Sequence, residues 1–306
     1  MFCLDNKIKN QGTAVALGYF DGIHIGHKSV LNKALEKAKE KDLIPVVMLF
    51  DIHPRKLISG KIPPMLTSEE KKREILTAMG FEIFDFGFRE GMNYEPDEFI
   101  EKILIDKLGA KVVSCGFDYH YGKGGKGNAE TMRESLAKRN IEFHSLEPVF
   151  LGDEVISSTS IRKFIADGEI ERANAMLGGY FSYDFKVNKG DGLGRTWGFP
   201  TINQSFPEDF VVPKYGVYVS ETEFEGKCYL SVTNVGIRPT VDGDDARSET
   251  CILDFSGDLY GKEVQVKLIK FLREEKKFPS VEALKEAIGK DIENARKVYK
   301  EVKQNG

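Results

Sequence analysis

The sequence predicts an α/β plus β fold: a doubly wound parallel sheet in the N-terminal half, followed by a small antiparallel β-barrel that ends in a helix. Three observations predict it. Up to about residue 150, short apolar runs alternate with helix-like segments at the spacing of a βα repeat. Beyond Gly178 and Gly179 apolar residues recur at every second position, and from Ser280 onward they recur at the helical period.

Val15–Phe20, Pro45–Phe50, Ile83–Phe86, Lys111–Cys115 and Glu142–Leu146 read as short buried strands. The helices between them have recognisable ends. Thr67 with Glu70 reads as a capping box and Gly80 as a stop, Pro96 suits a first helical turn, and Gly109 closes that helix. Such alternating units build a mainly parallel sheet with helices on both faces. After the two glycines, Phe181–Asn188, Gly216–Glu223, Lys227–Asn234, Thr250–Phe255 and Glu263–Leu272 alternate apolar with polar residues, the pattern of antiparallel strands in a small barrel. In the last helix Val281, Leu284, Ile288, Ile292, Ala295 and Val302 form one apolar stripe. The change of pattern puts a domain boundary near residue 180, giving domains 1–180 and 181–306.

Composition bounds the function. A chain of 306 residues with 41% apolar side chains can bury the cores of two domains. The net charge of −4 is spread without a long basic tract, so no electrostatic footprint for nucleic acid is present and small substrates are favoured over polymers. Met1 to Gln11 is polar, and no later apolar run approaches the roughly 18 residues of a membrane span, so the expectation is a cytoplasmic protein without membrane attachment. Cys3, Cys115, Cys228 and Cys251 lack paired spacing, which argues for reduced thiols rather than a zinc site or a disulfide framework. All five histidines lie before residue 150.

The candidate chemistry begins at GYFDGIHIGH, Gly18 to His27, which follows the first strand and opens a helix. That position is the carboxyl edge of the sheet, where ligands bind in such folds. A helix N-terminus offers free N–H groups and positive partial charge, and His24 and His27 beside it can donate to phosphate oxygens. Gly22 and Gly26 allow close backbone approach, and Gly18, Phe20 and Asp21 complete the loop. A tight βα turn with two surface histidines is the alternative. Gly116 to Gly122 (GFDYHYG) leaves the fourth strand on the same edge and leads into the glycine- and lysine-rich Lys123–Asn128. ISSTSIR then opens another helix with Ser158 and Thr159 as hydroxyl groups and Arg162 one turn in, where a solvated cap with a surface arginine is the plain alternative.

These three segments, in this order and spacing, resemble the adenylyltransferase module of bifunctional riboflavin kinase/FAD synthetases, members of the HxGH nucleotidyltransferase superfamily. The resemblance implies that His24, His27 and Arg162 hold ATP phosphates and act in catalysis. It also implies nucleotide contacts at Gly18, Phe20, Asp21, Gly22, Gly26, Asp118, Ser158 and Thr159. FDIHPR, ending in His53, Pro54 and Arg55, is similar to the family's FEPHP stretch, departs from it at Asp51 and Ile52, and implies flavin contacts.

In the second half, Gly190 to Asn203 reads GDGLGRTWGFPTIN. A hairpin turn would explain the first glycines. Thr201 and Asn203, two apart on an extended chain, point the same way, and both are uncharged oxygen donors able to hold magnesium whose charge is met by ATP phosphates. SETCILDF places Glu249 near the start of an alternating strand, where a merely solvated edge glutamate is the alternative. This half resembles the riboflavin kinase module: GRTWGFPTIN is similar to GRxLGFPTAN, PKYGVYV to PxxGVY, SETCILDF to the catalytic-glutamate strand, and FLRE to F-x-R-x-E. The resemblance implies Glu249 as the base for the riboflavin hydroxyl, and Thr201 and Asn203 as Mg2+ ligands. It implies Gly190, Gly192, Gly194, Arg195 and Pro200 at the nucleotide, and Tyr215, Gly216 and Arg273 at the flavin. Ile202 and Cys251 depart from the residues usual there. The implied substrates are riboflavin, FMN and ATP, and the implied products FMN and FAD. The rivals are a chain with one inactive half and a flavin-binding regulator without turnover.

Overall fold

The computed structural model describes residues 10–50, 62–87, 93–190, 193–240 and 243–305. The chain forms two compact units, residues 1–63 with 68–157 and residues 64–67 with 158–306. In the first unit the elements run β1 (Thr13–Leu17), α1 (Ile25–Lys41), β2 (Ile44–Phe50), α2 (Glu69–Ala78), β3 (Glu82–Phe86), α3 (Pro96–Phe99), β4 (Ala110–Gly116), α4 (Ala129–Ala137) and β5 (Glu142–Leu146). A short hairpin, β6 (Phe150–Leu151) with β7 (Glu154–Val155), follows.

The main sheet has the order β3-β2-β1-β4-β5, and every pairing in it is parallel. All of β1 is buried, as a central strand covered on both faces must be. Alternate residues serve opposite faces: Val15, Leu17, Val46 and Met48 pack with Phe99, Ile103 and Leu136, while Ala16, Val47 and Leu49 pack with Leu31, Ala34 and Leu76. The strand order reverses between β1 and β4, so the loops leaving these two neighbours flank the crevice of the sheet.

Three local expectations are corrected. Strand β1 ends at Leu17 rather than Phe20, because Phe20 has left-handed backbone (φ 56°) and turns the chain toward α1. Ser68, not Thr67, caps α2, its hydroxyl accepting the Lys71 N–H at 3.2 Å. The helix begun by Pro96 widens into a π-helix over Ile100–Lys107 before Gly109 closes it at φ 63°.

The second unit contains α5 (Ser158–Asp167), α6 (Ile170–Leu177), β8 (Phe181–Lys186), the short α7 (Leu193–Thr196), β9 (Thr201–Ser205), β10 (Gly216–Phe224), β11 (Lys227–Thr240), β12 (Gly243–Ile252), β13 (Glu263–Glu274) and α8 (Val281–Asn305). Its sheet is antiparallel in the order β8-β13-β10-β11-β12-β9. The sheet curls until its edges meet, where the Asn188 N–H donates to the Asn203 carbonyl at 2.8 Å. The inner face is partly polar: Ser220 bonds Thr233 at 2.8 Å, and Thr233 bonds Thr250 at 2.9 Å. These hydroxyls satisfy one another, as burial requires.

Strand β12 starts earlier and ends earlier than expected, and β9 is a full strand where the sequence offered only an extended segment. Helix α8 is capped by Ser280, whose hydroxyl accepts the Ala283 N–H at 3.2 Å. Its stripe packs on the barrel through Ile292, Ala295 and Val302, while Val281 stands exposed. The antiparallel pattern does begin at Phe181, but the compact units part earlier, ahead of α5. Helix α6 explains the difference. Asn174 is buried, donates to the Leu268 carbonyl at 2.9 Å and accepts the Phe181 N–H at 2.7 Å, tying α6 to β13 and β8.

Candidate active sites

The loop from Gly18 to Ile25 leads from β1 to the N-terminus of α1. Beyond β1 the chain passes through left-handed backbone at Phe20, Gly22 (φ 81°) and Ile23 (φ 38°), which turns it into α1. Phe20 and Asp21 are buried beneath the turn. His24 is the N-cap of α1 and is only 5% exposed; its Nδ1 accepts the His27 N–H at 3.2 Å. A neutral ring bonded in this way carries its proton on Nε2, as a donor. The His24 and His27 rings stack with centroids 3.6 Å apart, and the Phe20 ring meets His27 edge-on at 5.4 Å. Gly26 is needed for this packing: a Cβ there would stand 3.2 Å from the His24 ring and 3.6 Å from the Ile156 carbonyl, just ahead of the ISSTSIR helix. The first turn of α1 has no acidic side chain, so its positive end is not neutralised within the helix.

From the neighbouring strand, β4, Asp118 stands exposed and its carbonyl bonds the His120 ring at 2.9 Å. The following loop turns through Gly122, Gly124 and Gly125, all at positive φ, and closes with paired bonds between Tyr121 and Gly127. Burial drives the Tyr119 phenol far above its ordinary pKa, so it is neutral there. Ser158, Thr159 and Arg162 lie in the second unit, in the first half of α5, where Arg162 Nε donates to the Pro64 carbonyl at 2.6 Å. His53, Pro54 and Arg55 lie outside the described residues.

On the barrel, register does the assembling. Asn203 on β9 is directly opposite Glu249 on β12, and Glu249 is directly opposite Asn234 on β11. Thr201 is opposite Cys251. Directly opposed residues share a face, so Thr201, Asn203, Glu249 and Asn234 form one polar patch on the outer surface of the sheet. The glycine segment lies against this patch. A Cβ at Gly190 would collide with the Asn203 amide, and one at Gly194 would stand 3.3 Å from Thr201 Oγ1. Pro200 immediately precedes β9, Arg195 falls within α7, and Gly192 lies outside the described residues. Glu249 is exposed. Burial pushes the Cys251 thiol up to about 11, so it stays protonated and packs in the strand.

Tyr215 is exposed beside Gly216, whose φ of 150° and contact with the Arg273 carbonyl and Phe271 ring admit no side chain. Arg273 itself is held in a two-pronged pair by Asp291 of α8, with Nε to Oδ1 at 3.0 Å and Nη2 to Oδ2 at 2.6 Å. Sequence reasoning missed Asn234 and its partner Glu275, whose Oε1 accepts the Asn234 amide at 3.0 Å. The place of Asn234 opposite Glu249 follows only from strand register, which the sequence does not display.

Comparison with known proteins separates the same two regions. Residues 6–160 match the family model for FAD synthetase, and residues 177–299 match that for riboflavin kinase. A bifunctional riboflavin kinase/FMN adenylyltransferase of Listeria monocytogenes is 36% identical over 93% of this chain and 92% of its own. The chain belongs to the bifunctional riboflavin kinase/FMN adenylyltransferase family. Another relative with this name, from Escherichia coli strain K12, is 33% identical over 96% of this chain and 95% of its own. Among solved structures, one titled as a macrolide-efflux protein from Streptococcus pneumoniae superposes with TM-score 0.84 at 32% identity, covering 93% of this chain and 94% of that one. Among the described residues of this family member no helix is long and apolar enough to cross a membrane.

Proposed function

We propose that the two reactions of the family divide between the two regions, with the residues around Gly18–His27 serving FMN adenylylation and the outer face of the barrel serving riboflavin phosphorylation. The chain is an enzyme of flavin cofactor biosynthesis, a kinase and a nucleotidyltransferase. Its substrates are riboflavin, FMN and ATP, and its final product is FAD. The observation that carries the kinase assignment is the register that sets Glu249 opposite Asn203 beneath the glycine segment.

In the kinase reaction Glu249 takes the proton from the riboflavin 5′-hydroxyl as that oxygen attacks the γ-phosphorus of ATP, and ADP leaves. Glu249 is exposed, so a substrate hydroxyl can approach its carboxylate. Thr201 Oγ1 and Asn203 Oδ1 are hard, neutral oxygen donors of the type that suits Mg2+ already paired with phosphates, and the missing Cβ atoms at Gly190 and Gly194 let the glycine segment lie close against them. When bound there, the ion neutralises charge on the transferred phosphoryl group.

In the adenylyl reaction an FMN phosphate oxygen attacks the α-phosphorus of ATP in line and pyrophosphate departs. In this reading His24, His27 and the N-terminus of α1 stabilise the negative charge that develops on the phosphates. No covalent enzyme intermediate is needed, because positioning and charge stabilisation carry the rate. Incubating the protein with riboflavin and Mg-ATP and separating the flavins tests the reading: FMN should appear first and FAD after it. Accumulation of FMN alone, or no product, would reject it in favour of a half-active or non-catalytic chain.

A further inference from the structure

Lys72, in the first turn of α2, is buried to 2% exposure although it carries an ammonium group. Burying a cation is expensive, and a buried lysine is found where specific partners offset that cost. Among the described residues the partners of the Lys72 ammonium group are Tyr19, in the loop between β1 and α1, and Glu69, which itself bonds Tyr19. Lys72 Nζ lies 4.2 Å from the centre of the Tyr19 ring, 3.4 Å from the Tyr19 carbonyl oxygen and 2.7 Å from Glu69 Oε1. The Tyr19 hydroxyl donates to that same Glu69 oxygen at 3.3 Å. Tyr19 is therefore gripped by its main chain, its ring face and its hydroxyl at once. It sits between Gly18, where the loop leaves β1, and Phe20, whose left-handed backbone starts the turn toward His24.

An apolar side chain at position 72 would fill the same space under α2 without the desolvation cost. Leu76, one turn on, does this for the sheet face. The cation instead gives Tyr19 a directional partner. We propose that Lys72 is a positioning residue for the adenylyl site: it fixes Tyr19, and through Tyr19 the path of the loop Gly18–His27 that receives the ATP phosphates. The proposal rests on the reading of that loop as the ATP site. Lys72 does not itself meet the nucleotide in this account.

The test uses the full chain. FAD formation from supplied FMN is measured against ATP concentration, with riboflavin phosphorylation by the same molecule as an internal check of folding. Lys72→Met keeps the length of the side chain, and because Glu69 is 40% exposed water can take up the carboxylate left behind, so thermal stability should hold or rise. A loosened loop should nonetheless lower kcat/KM for ATP by about tenfold to a hundredfold, chiefly through KM, since small misplacements of binding groups cost on that order. Lys72→Arg, which keeps a cation, should recover most of the loss. Tyr19→Leu should reproduce it, and the double variant should be no worse than the poorer single one, because both act through one contact. Lys72→Met with wild-type kcat and KM for ATP overturns the proposal, as does a double variant whose losses multiply. If Lys72→Met destabilises the fold, Tyr19→Leu and Lys72→Arg decide by the same two criteria. A His27→Ala enzyme with wild-type FAD formation would instead reject the ATP-site reading, while leaving the Lys72 measurement separately interpretable.

Discussion

At the scale of single residues, the barrel patch separates two ways of losing phosphorylation. Thr201 and Glu249 share a face, yet Thr201 lies beside the glycine segment while Glu249 lies two register pairs further on, opposite Asn203. Thr201→Ala should raise the magnesium and ATP concentrations needed for half-maximal FMN formation by about tenfold as well as slow turnover, since a metal contact is lost. Titration of kinase rate with magnesium checks this, and an unchanged titration removes Thr201 from the metal site. Much of the site at this scale was legible in the sequence, because HxGH, PTIN and the glutamate strand are local patterns whose residue chemistry is explicit. Asn234, Glu275 and Lys72 were not. Asn234 meets Glu249, and Glu275 meets Asn234, only through pairing of distant strands, and a lysine four residues before Leu76 reads as a solvated position unless its burial is seen.

At the scale of elements, the C-terminal helix is held to the barrel by a buried carboxylate. Glu221 on β10 is 4% exposed, accepts the Tyr299 hydroxyl at 2.5 Å and pairs with Lys303 at 3.1 Å. Burial alone would raise its pKa, but the Tyr299 hydroxyl and the Lys303 ammonium outweigh that and hold it below the ordinary glutamate range. A carboxylate whose folded pKa is depressed stabilises the fold above its unfolded value, about 4.3, and that contribution disappears as pH falls through the lower folded value. Denaturant midpoints for the barrel unit should therefore drop more steeply below about pH 4.3 in wild type than in Glu221→Gln. Parallel curves would show that Glu221 does not anchor the helix. The strands of both units were readable from periodicity, and Pro96 and Gly109 mark helix ends as expected, but the N-cap of α2 and the strand ends were not legible: Thr67 and Ser68 are equivalent in sequence, and only the backbone at Ser68 selects it.

At the scale of the whole molecule, the change from a helical to an alternating pattern at Phe181 and the parting of the compact units ahead of Ser158 are different boundaries. Ile170, Ala173, Met176 and Leu177 of α6 are buried, and Asn174 bonds the backbone of β13. A fragment of residues 158–306 should thus fold and phosphorylate riboflavin, whereas one of residues 181–306 should be less stable by several kcal/mol, the order expected for uncovering these side chains. Equal urea midpoints for the two fragments would contradict the packing argument. The central claim is that one chain carries two separate chemistries, and a reciprocal pair of variants tests it most directly. Glu249→Gln keeps shape and removes the proton acceptor, so FMN formation should fall by about 10² to 10⁴ while FAD formation from supplied FMN persists. His27→Ala should do the reverse, cutting FAD formation by roughly a hundredfold or more and sparing FMN formation. Measured side by side by flavin separation, a Glu249→Gln enzyme with near wild-type kinase turnover, or either variant losing both activities equally while still folded, would contradict the account.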